Sequence, residues 1–147
     1  MKEEKLKITG ICTIIIRDKD KRVISIERKK NVITNAGKAY VAKLIGGIVT
    51  APFSYIQIGT GTTTPSPSDT ALESFYAEKQ ATAMFIEPSS VLFSAMFEFT
   101  ESANITESGV FSGPGATSPV MLCREVFGAK SVSAGQYLEV SWKVTIT

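Results

Sequence analysis

Residues 53–72 have the sequence FSYIQIGTGTTTPSPSDTAL, and this stretch decides how the rest of the chain is interpreted. Residues 53–58 alternate in a β-branched and aromatic run, a pattern typical of a half-buried strand. From Gly59 onward the residues are glycine, threonine, serine, proline and aspartate, which favour turns and bond their own backbone. The sequence therefore predicts a strand followed by a long ordered surface loop, and such loops usually serve a function.

Length and composition predict one globular domain. A chain of 147 residues is long enough for one domain with its own core and too short for two. Hydrophobic residues make up 44% and charged residues 20%, which argues against disorder. The net charge is +2, and the basic clusters at residues 19–22 and 28–30 are short and lie beside acids. These clusters favour a solvated hairpin over a nucleic-acid interface.

The sequence contains no histidine, which removes the commonest general base, the commonest transition-metal ligand and every nucleophile pair that uses an imidazole. Cys12 and Cys123 each lie in an apolar run and form no local CxxC site, so we expect buried free thiols, with a disulfide between them left open. Residues 1–10 lack the apolar segment of a signal peptide, and no run is long enough to span a membrane. These features predict a cytosol-like setting and no membrane partner.

Alternating apolar residues predict strands through most of the chain. Residues 6–17 and 22–30 predict a hairpin whose return strand carries its isoleucines on one face. Gly109 is expected to break a short strand, and residues 71–79 fit either a helical turn or a strand. The later strands are predicted at residues 80–87, 90–100, 104–111, 120–127 and 137–147.

One segment, residues 31–47, has a helical period instead. Thr34 or Asn35 can cap its start, and Gly46 and Gly47 can end it. Because short turns link most of the strands, we expect antiparallel pairing. The predicted fold is mainly β: an antiparallel β-barrel or sandwich of about eight strands, with one short α-helix and an N-terminal β-hairpin arm.

Two constellations could suggest chemistry. Residues 59–64, GTGTTT, follow a strand as a phosphate-binding loop does, but they lack the lysine of GxxxxGK[ST] and the third glycine of GxGxxG, so a tight turn is favoured. Acidic residues could form a carboxylate pair for glycoside hydrolysis or a Ca²⁺ site, yet no DxDxDG loop is present and their spacing selects neither. Surface and turn positions are favoured for them: Asp69, Glu73, Glu98, Glu101 and Glu107.

Two further side chains are assigned structural roles. Arg124 lies on a predicted strand beside Cys123, and we expect it to pair with a carboxylate such as Glu107. Trp142 alternates with apolar residues, so a core position is favoured over a ligand platform. The sequence thus predicts no catalytic residue, no metal ligand and no cofactor.

Five segments in order resemble a group of tailed-bacteriophage structural proteins, in which an ITNAG helix precedes a strand ending in IGTGTTxPxxxDTAL. The resemblance covers residues 31–147. Many members carry a glycine and an arginine after DTAL, where this chain has residues 73–79, ESFYAEK. The segments are NVITNAGKAYVAKLIGG (31–47), FSYIQIGTGTTTPSPSDTAL (53–72), ITESGVF (105–111), VMLCREVF (120–127) and YLEVSWKVTIT (137–147).

The resemblance implies a non-enzymatic virion protein: a capsid decoration or cement protein that binds the major capsid protein on the outer head lattice as a trimer. The alternative is a tail-fibre or tail-tip module, in which residues 112–119 would contact a host surface. An enzyme acting on glycan or nucleotide is a third, disfavoured hypothesis.

On the decoration interpretation, residues 1–30 form an arm and residues 31–147 form the decoration domain, within a single domain overall. An extended arm can add strands to a neighbouring subunit, and a loop containing prolines can be a preordered contact surface. The expected partner contacts are Ile8, Ile14, Ile24, Ile26, Thr62, Pro65, Pro67 and Asp69.

Overall fold

Two antiparallel five-stranded sheets, packed face to face, make up the computed structural model, which describes residues 5–147. The strand orders are β2-β1-β10-β7-β6 in the first sheet and β3-β9-β8-β4-β5 in the second. The elements are β1 (Ile8–Arg17), β2 (Val23–Lys30), β3 (Val32–Ile33), α1 (Asn35–Ile45), β4 (Tyr55–Gly59), β5 (Phe75–Gln80), β6 (Thr82–Ile86), β7 (Ser90–Glu98), β8 (Ala103–Phe111), a 3-10 turn (Gly115–Thr117), β9 (Met121–Val132) and β10 (Tyr137–Ile146). The predicted mainly β fold is confirmed, as an open sandwich and not a closed barrel.

The core lies between the two sheets and is built from alternate residues of each strand. On β10 the residues from Leu138 to Val144 alternate between buried and partly exposed positions, and Trp142 is fully buried. Its indole Nε1 donates a hydrogen bond to Ser108 Oγ on the facing sheet at 3.3 Å. Cys12 and Cys123 are both buried and free, and burial raises the pKa of the Cys123 thiol to about 12. The predicted core position of Trp142 and the free thiols are confirmed.

The N-terminal hairpin is present, but it does not project from the domain as an arm. β1 lies between β2 and β10, and it pairs with β10 along its whole length, from Ile8 opposite Ile146 to Arg17 opposite Tyr137. Ile14 on β1 is fully buried, because alternate residues of this strand cover the core. The expectation of an arm is therefore corrected for the described residues, and residues 1–4 lie outside them.

The helix caps follow the sequence prediction. Thr34 is the N-cap of α1: its hydroxyl accepts a hydrogen bond from Gly37 N at 2.9 Å and donates one to Met121 O on β9 at 2.7 Å. A Cβ atom at Gly37 would lie 2.8 Å from the backbone of Leu122, so the glycine lets the helix approach β9 closely. The helix gives way to Gly46 as predicted, and no helix of the described residues is long and apolar enough to cross a membrane.

Two strands differ from their predictions. β8 continues through Gly109 without a break, because the missing side chain leaves room for the Cys123 carbonyl of β9, which would lie 2.8 Å from a Cβ atom. The ambiguous segment before residue 80 is a strand, β5, and only Ala81 separates it from β6. At Ala81 the backbone passes from an edge strand of the second sheet, β5, directly to an edge strand of the first, β6. We call residues 75–86 the switching edge.

Candidate functional site

Residues 60–74, which we call the strap, connect β4 to β5 and cross the outer face of the second sheet. Ser108 on β8 contacts Trp142 in the core, so its neighbour Glu107 points to the opposite, outer face. The strap passes over Glu107 and reaches the start of α1, where Asn35 N donates a hydrogen bond to Pro67 O at 2.8 Å. The loop that the sequence predicts is therefore packed onto the sheet.

The Glu107 carboxylate is the centre on which the strap is built. It is fully buried, and its Oε2 accepts hydrogen bonds from Gly61 N at 2.6 Å and from Ser74 N at 2.8 Å. Its Oε1 accepts from Glu73 N at 3.0 Å and from Arg124 Nε at 2.9 Å. Backbone donors from both ends of the strap thus converge on one carboxylate, and bonds to an ionised group are the strong ones.

Arg124 on β9 connects the same carboxylate to the middle of the strap. Its guanidinium donates through Nη1 to Asp69 Oδ2 at 3.1 Å and through Nη2 to Thr63 Oγ1 at 3.3 Å. Burial alone would lower the pKa of Arg124, but the bonds to Glu107 and Asp69 raise it above its ordinary value. The planar fork therefore holds three partners at once, as a point charge on a lysine would not.

Glu73 closes the strap on its exposed side. Its carboxylate accepts hydrogen bonds from Thr63 Oγ1 at 2.6 Å and from Thr62 N at 2.8 Å. These bonds lower the pKa of Glu73, with the hydroxyl of Thr63 as the largest cause. A side chain at Gly61 would collide with Glu73 and Glu107. The glycine in the GTG sequence therefore lets the strap backbone lie close to both carboxylate side chains.

These contacts show which predictions about the acidic residues hold. The expected pairing of Arg124 with Glu107 is confirmed. The expectation that Glu107 is a surface residue is wrong, because β8 is covered by the strap on its outer face. Among residues 5–147, no group of three or more His, Cys, Asp or Glu side chains is placed to hold a metal ion. The charges of this cluster are satisfied by one another and by the backbone.

The predicted contact residues of the hairpin have different environments. Ile14 is fully buried, so it is a core residue and has no surface to offer a partner. Ile8 is partly buried at the start of β1. Ile24 and Ile26 on β2 are 54% and 50% exposed, on a strand that pairs on one side only among residues 5–147. Of these four residues, only the two β2 isoleucines are exposed, each by about half.

The predicted contact residues of the strap are likewise divided. The Thr62 and Pro67 side chains are exposed, and Pro65 is partly buried. Asp69 is partly buried and binds Arg124 in an ion pair, so its carboxylate is directed into the protein. Thr62 and Pro67 are thus displayed on a backbone that the buried cluster keeps in place.

The tip at residues 112–119 is bound to the sandwich by a side chain of the switching edge. Gly115 N donates a hydrogen bond to Glu78 on β5 at 2.8 Å. Ser112 Oγ also accepts one from Val120 N at 2.9 Å. The tip is therefore anchored at its middle and at its base.

The switching edge is a surface that the sequence analysis missed. The other edge of β5 and of β6 is unpaired among the described residues, and several large apolar side chains lie exposed along it. The apolar run at residues 83–86, AMFI, does not alternate with polar residues, and this departure was the available signal. The exposed residues are Phe75 (55%), Tyr76 (37%), Met84 (56%) and Phe85 (66%).

Comparison of this chain with protein-family models, with curated proteins and with solved structures finds no match.

Proposed function

We propose that this protein is a non-enzymatic structural component of a bacteriophage virion, a decoration protein that binds the major capsid protein on the outside of the head as a trimer. The switching edge is the observation that carries the proposal. A free strand edge that exposes Phe75, Met84 and Phe85 is a site for pairing with another chain. Proteins that stay monomeric usually protect such an edge with charges, prolines or a covering loop.

The strap supports the same role in a different way. A shell that holds packaged DNA needs additional lateral contacts, and a contact surface that is already ordered loses little conformational entropy on binding. The Glu107 cluster orders the backbone that displays Thr62 and Pro67. In this role the sandwich supplies rigidity, and its edges and the strap supply contacts.

A tail-fibre or tail-tip module is the second candidate. The observation that favours it is the compact tip at residues 112–119, which is held by Glu78 and carries an exposed 3-10 turn, Gly115–Thr117. Receptor contacts commonly lie on loops that a rigid scaffold positions.

Copy number separates the two candidates. Quantitative mass spectrometry of purified particles should find this chain in numbers close to those of the major shell protein if it decorates the head. A handful of copies per particle would contradict that role and support the tail module.

The oligomer is tested on the isolated protein. Sedimentation velocity should show a trimer for the wild type and a monomer for Phe85→Glu, because a charge at the pairing edge must be desolvated. Ile48→Glu is the control, since Ile48 is also exposed but lies after α1, away from this edge. A monomeric wild type, or a trimer that survives Phe85→Glu, would overturn the assignment of the interface.

A further inference from the structure

A groove between α1 and the start of β1 lies away from both the strap and the switching edge. It consists of two adjoining hollows of about 540 and 360 Å³, which share Ile8, Thr9 and Lys38. Hollows of this size hold several side chains or a small ligand. The first runs along the helix, and the second continues past Gly10 to the end of β2 at Lys30.

The floor of the groove is aliphatic, and much of it is exposed. Leu6, Ile45 and Ile146 are 79%, 82% and 45% exposed. Val41 and Ala42 complete the helical wall, so apolar side chains from three elements meet here. Apolar surface that is kept in contact with water gains free energy when a partner covers it.

The charged residues that line the two hollows are all positively charged. They are Lys7, Lys30 and Lys38, and none of the described residues that line either hollow is acidic. Each of the three lysines is exposed, and none has an ion-pair partner among the described residues. Cations outside the groove do form ion pairs: Arg17 binds Glu139, and Lys130 binds Glu27.

We infer that this lysine groove binds an acidic amphipathic segment of a partner protein, with apolar side chains on the aliphatic floor and carboxylates toward the three lysines. The arrangement follows the usual layout of a protein interface, which has an apolar centre and a charged rim. A single-stranded nucleic acid is disfavoured because, within residues 5–147, the lining contains no aromatic residue on which a base could stack. The inference stands apart from the virion role, since it concerns a different surface.

The test uses the full-length protein and three fluorescent peptides of about twelve residues, in which leucine alternates with glutamate, serine with glutamate, or leucine with lysine. Fluorescence anisotropy should show that the leucine–glutamate peptide binds at least about tenfold more tightly than either of the others, because it alone supplies both contacts. Its affinity should fall as salt is raised.

Matched variants on and beside the helix locate the binding site. Lys38→Glu should weaken binding of the leucine–glutamate peptide by about tenfold or more, whereas Lys43→Glu, on the same helix but outside the groove, should not. Ile45→Ser should weaken it, and Ile48→Ser, equally apolar and outside the lining, should not. All four positions are exposed, so each variant is expected to keep the thermal stability of the wild type.

Three results would overturn the inference. They are no binding of the leucine–glutamate peptide at millimolar concentration, equal losses for Lys38→Glu and Lys43→Glu, and tighter binding of a single-stranded oligonucleotide or of dodecanoate than of the peptide. Because no particle is used, these results leave the copy-number test of the virion role unaffected.

Discussion

Glu107 on β8 and Arg124 on β9 form a buried ion pair, 2.9 Å from Oε1 to Nε, that holds the strap onto the sheet. The carboxylate is fully buried and the guanidinium nearly so, with 0% and 2% of their side chains exposed. Each group completes its hydrogen bonds with the strap, through the amides of Gly61 and Ser74 on one side and through Asp69 on the other. The most irregular part of the chain is therefore attached to its most deeply buried charges.

Replacing Glu107 with glutamine should destabilise the protein and loosen the strap. The amide cannot accept from all four donors, and the buried Arg124 would keep only the partly exposed Asp69 as a charge partner. Breaking a buried pair in this way costs about 3–5 kcal/mol of the free energy of unfolding. Urea denaturation measures the loss, and hydrogen exchange should show faster exchange at the amides of Gly61 and Ser74. Glu101→Gln, at an exposed position, is the control, and an equal effect there would contradict this role.

Trp142→Ala should be strongly destabilising, because the indole is fully buried between the sheets. A tryptophan cavity of this kind costs about 3–5 kcal/mol. Trp142→Phe should cost less, since it keeps an aromatic ring and loses mainly the bond to Ser108. Thermal and chemical denaturation measure both variants, and a soluble Trp142→Ala protein with wild-type stability would contradict the core assignment.

Deleting residues 1–30 should prevent folding. The deletion removes β1, which lies inside the first sheet and pairs with β10 over its whole length. Without it, β10 would lose its partner strand, and the apolar residues that Cys12 and Ile14 now cover would be exposed. Circular dichroism and solubility report the outcome. A folded, soluble fragment would show that the hairpin is dispensable after all.

The contribution of Glu125 to the free energy of unfolding should fall as the pH rises above the usual pKa of a glutamate carboxyl group. Burial raises the pKa of Glu125 above its usual 4.5, although Val126 N and Lys29 act in the opposite direction. The folded state therefore binds more protons than the unfolded state between the two pKa values, so this contribution is complete below the unfolded pKa and is lost as the pH rises through the folded one.

Glu125→Gln removes that proton linkage. Its free energy of unfolding relative to the wild type should increase as the pH rises above 4.5, as measured by urea denaturation at a series of pH values. Glu98→Gln, at an exposed position on β7, is the control substitution. A constant difference for Glu125→Gln, or one of the opposite sign, would show that the ion pair with Lys29 at 3.7 Å outweighs burial.

Part of the candidate site was accessible from the sequence. The run of glycine, threonine and proline predicted a long ordered loop after β4, and the pairing of Arg124 with Glu107 was expected. The sequence favours a surface position for Asp69. Its ion pair with Arg124 could not be predicted, because the two residues are 55 positions apart and no local pattern connects them. The exposure of Phe75 and Tyr76 on an edge strand could not be predicted, since local pattern does not distinguish an edge strand from a central one.

Local chemistry determined what the sequence alone could predict: the positions of most strands, a helix cap at Thr34 or Asn35, the end of α1 and the inward face of β10. These features follow from periods of two or 3.6 residues and from turn residues that act over a few positions. Only the tertiary structure decided that β1 is an interior strand of its sheet, that Glu107 is buried beneath the strap and that residues 75–86 form an edge left unpaired by the described residues. Those outcomes depend on which strands become neighbours, and this is set by cooperative burial across the whole chain and not by any one segment.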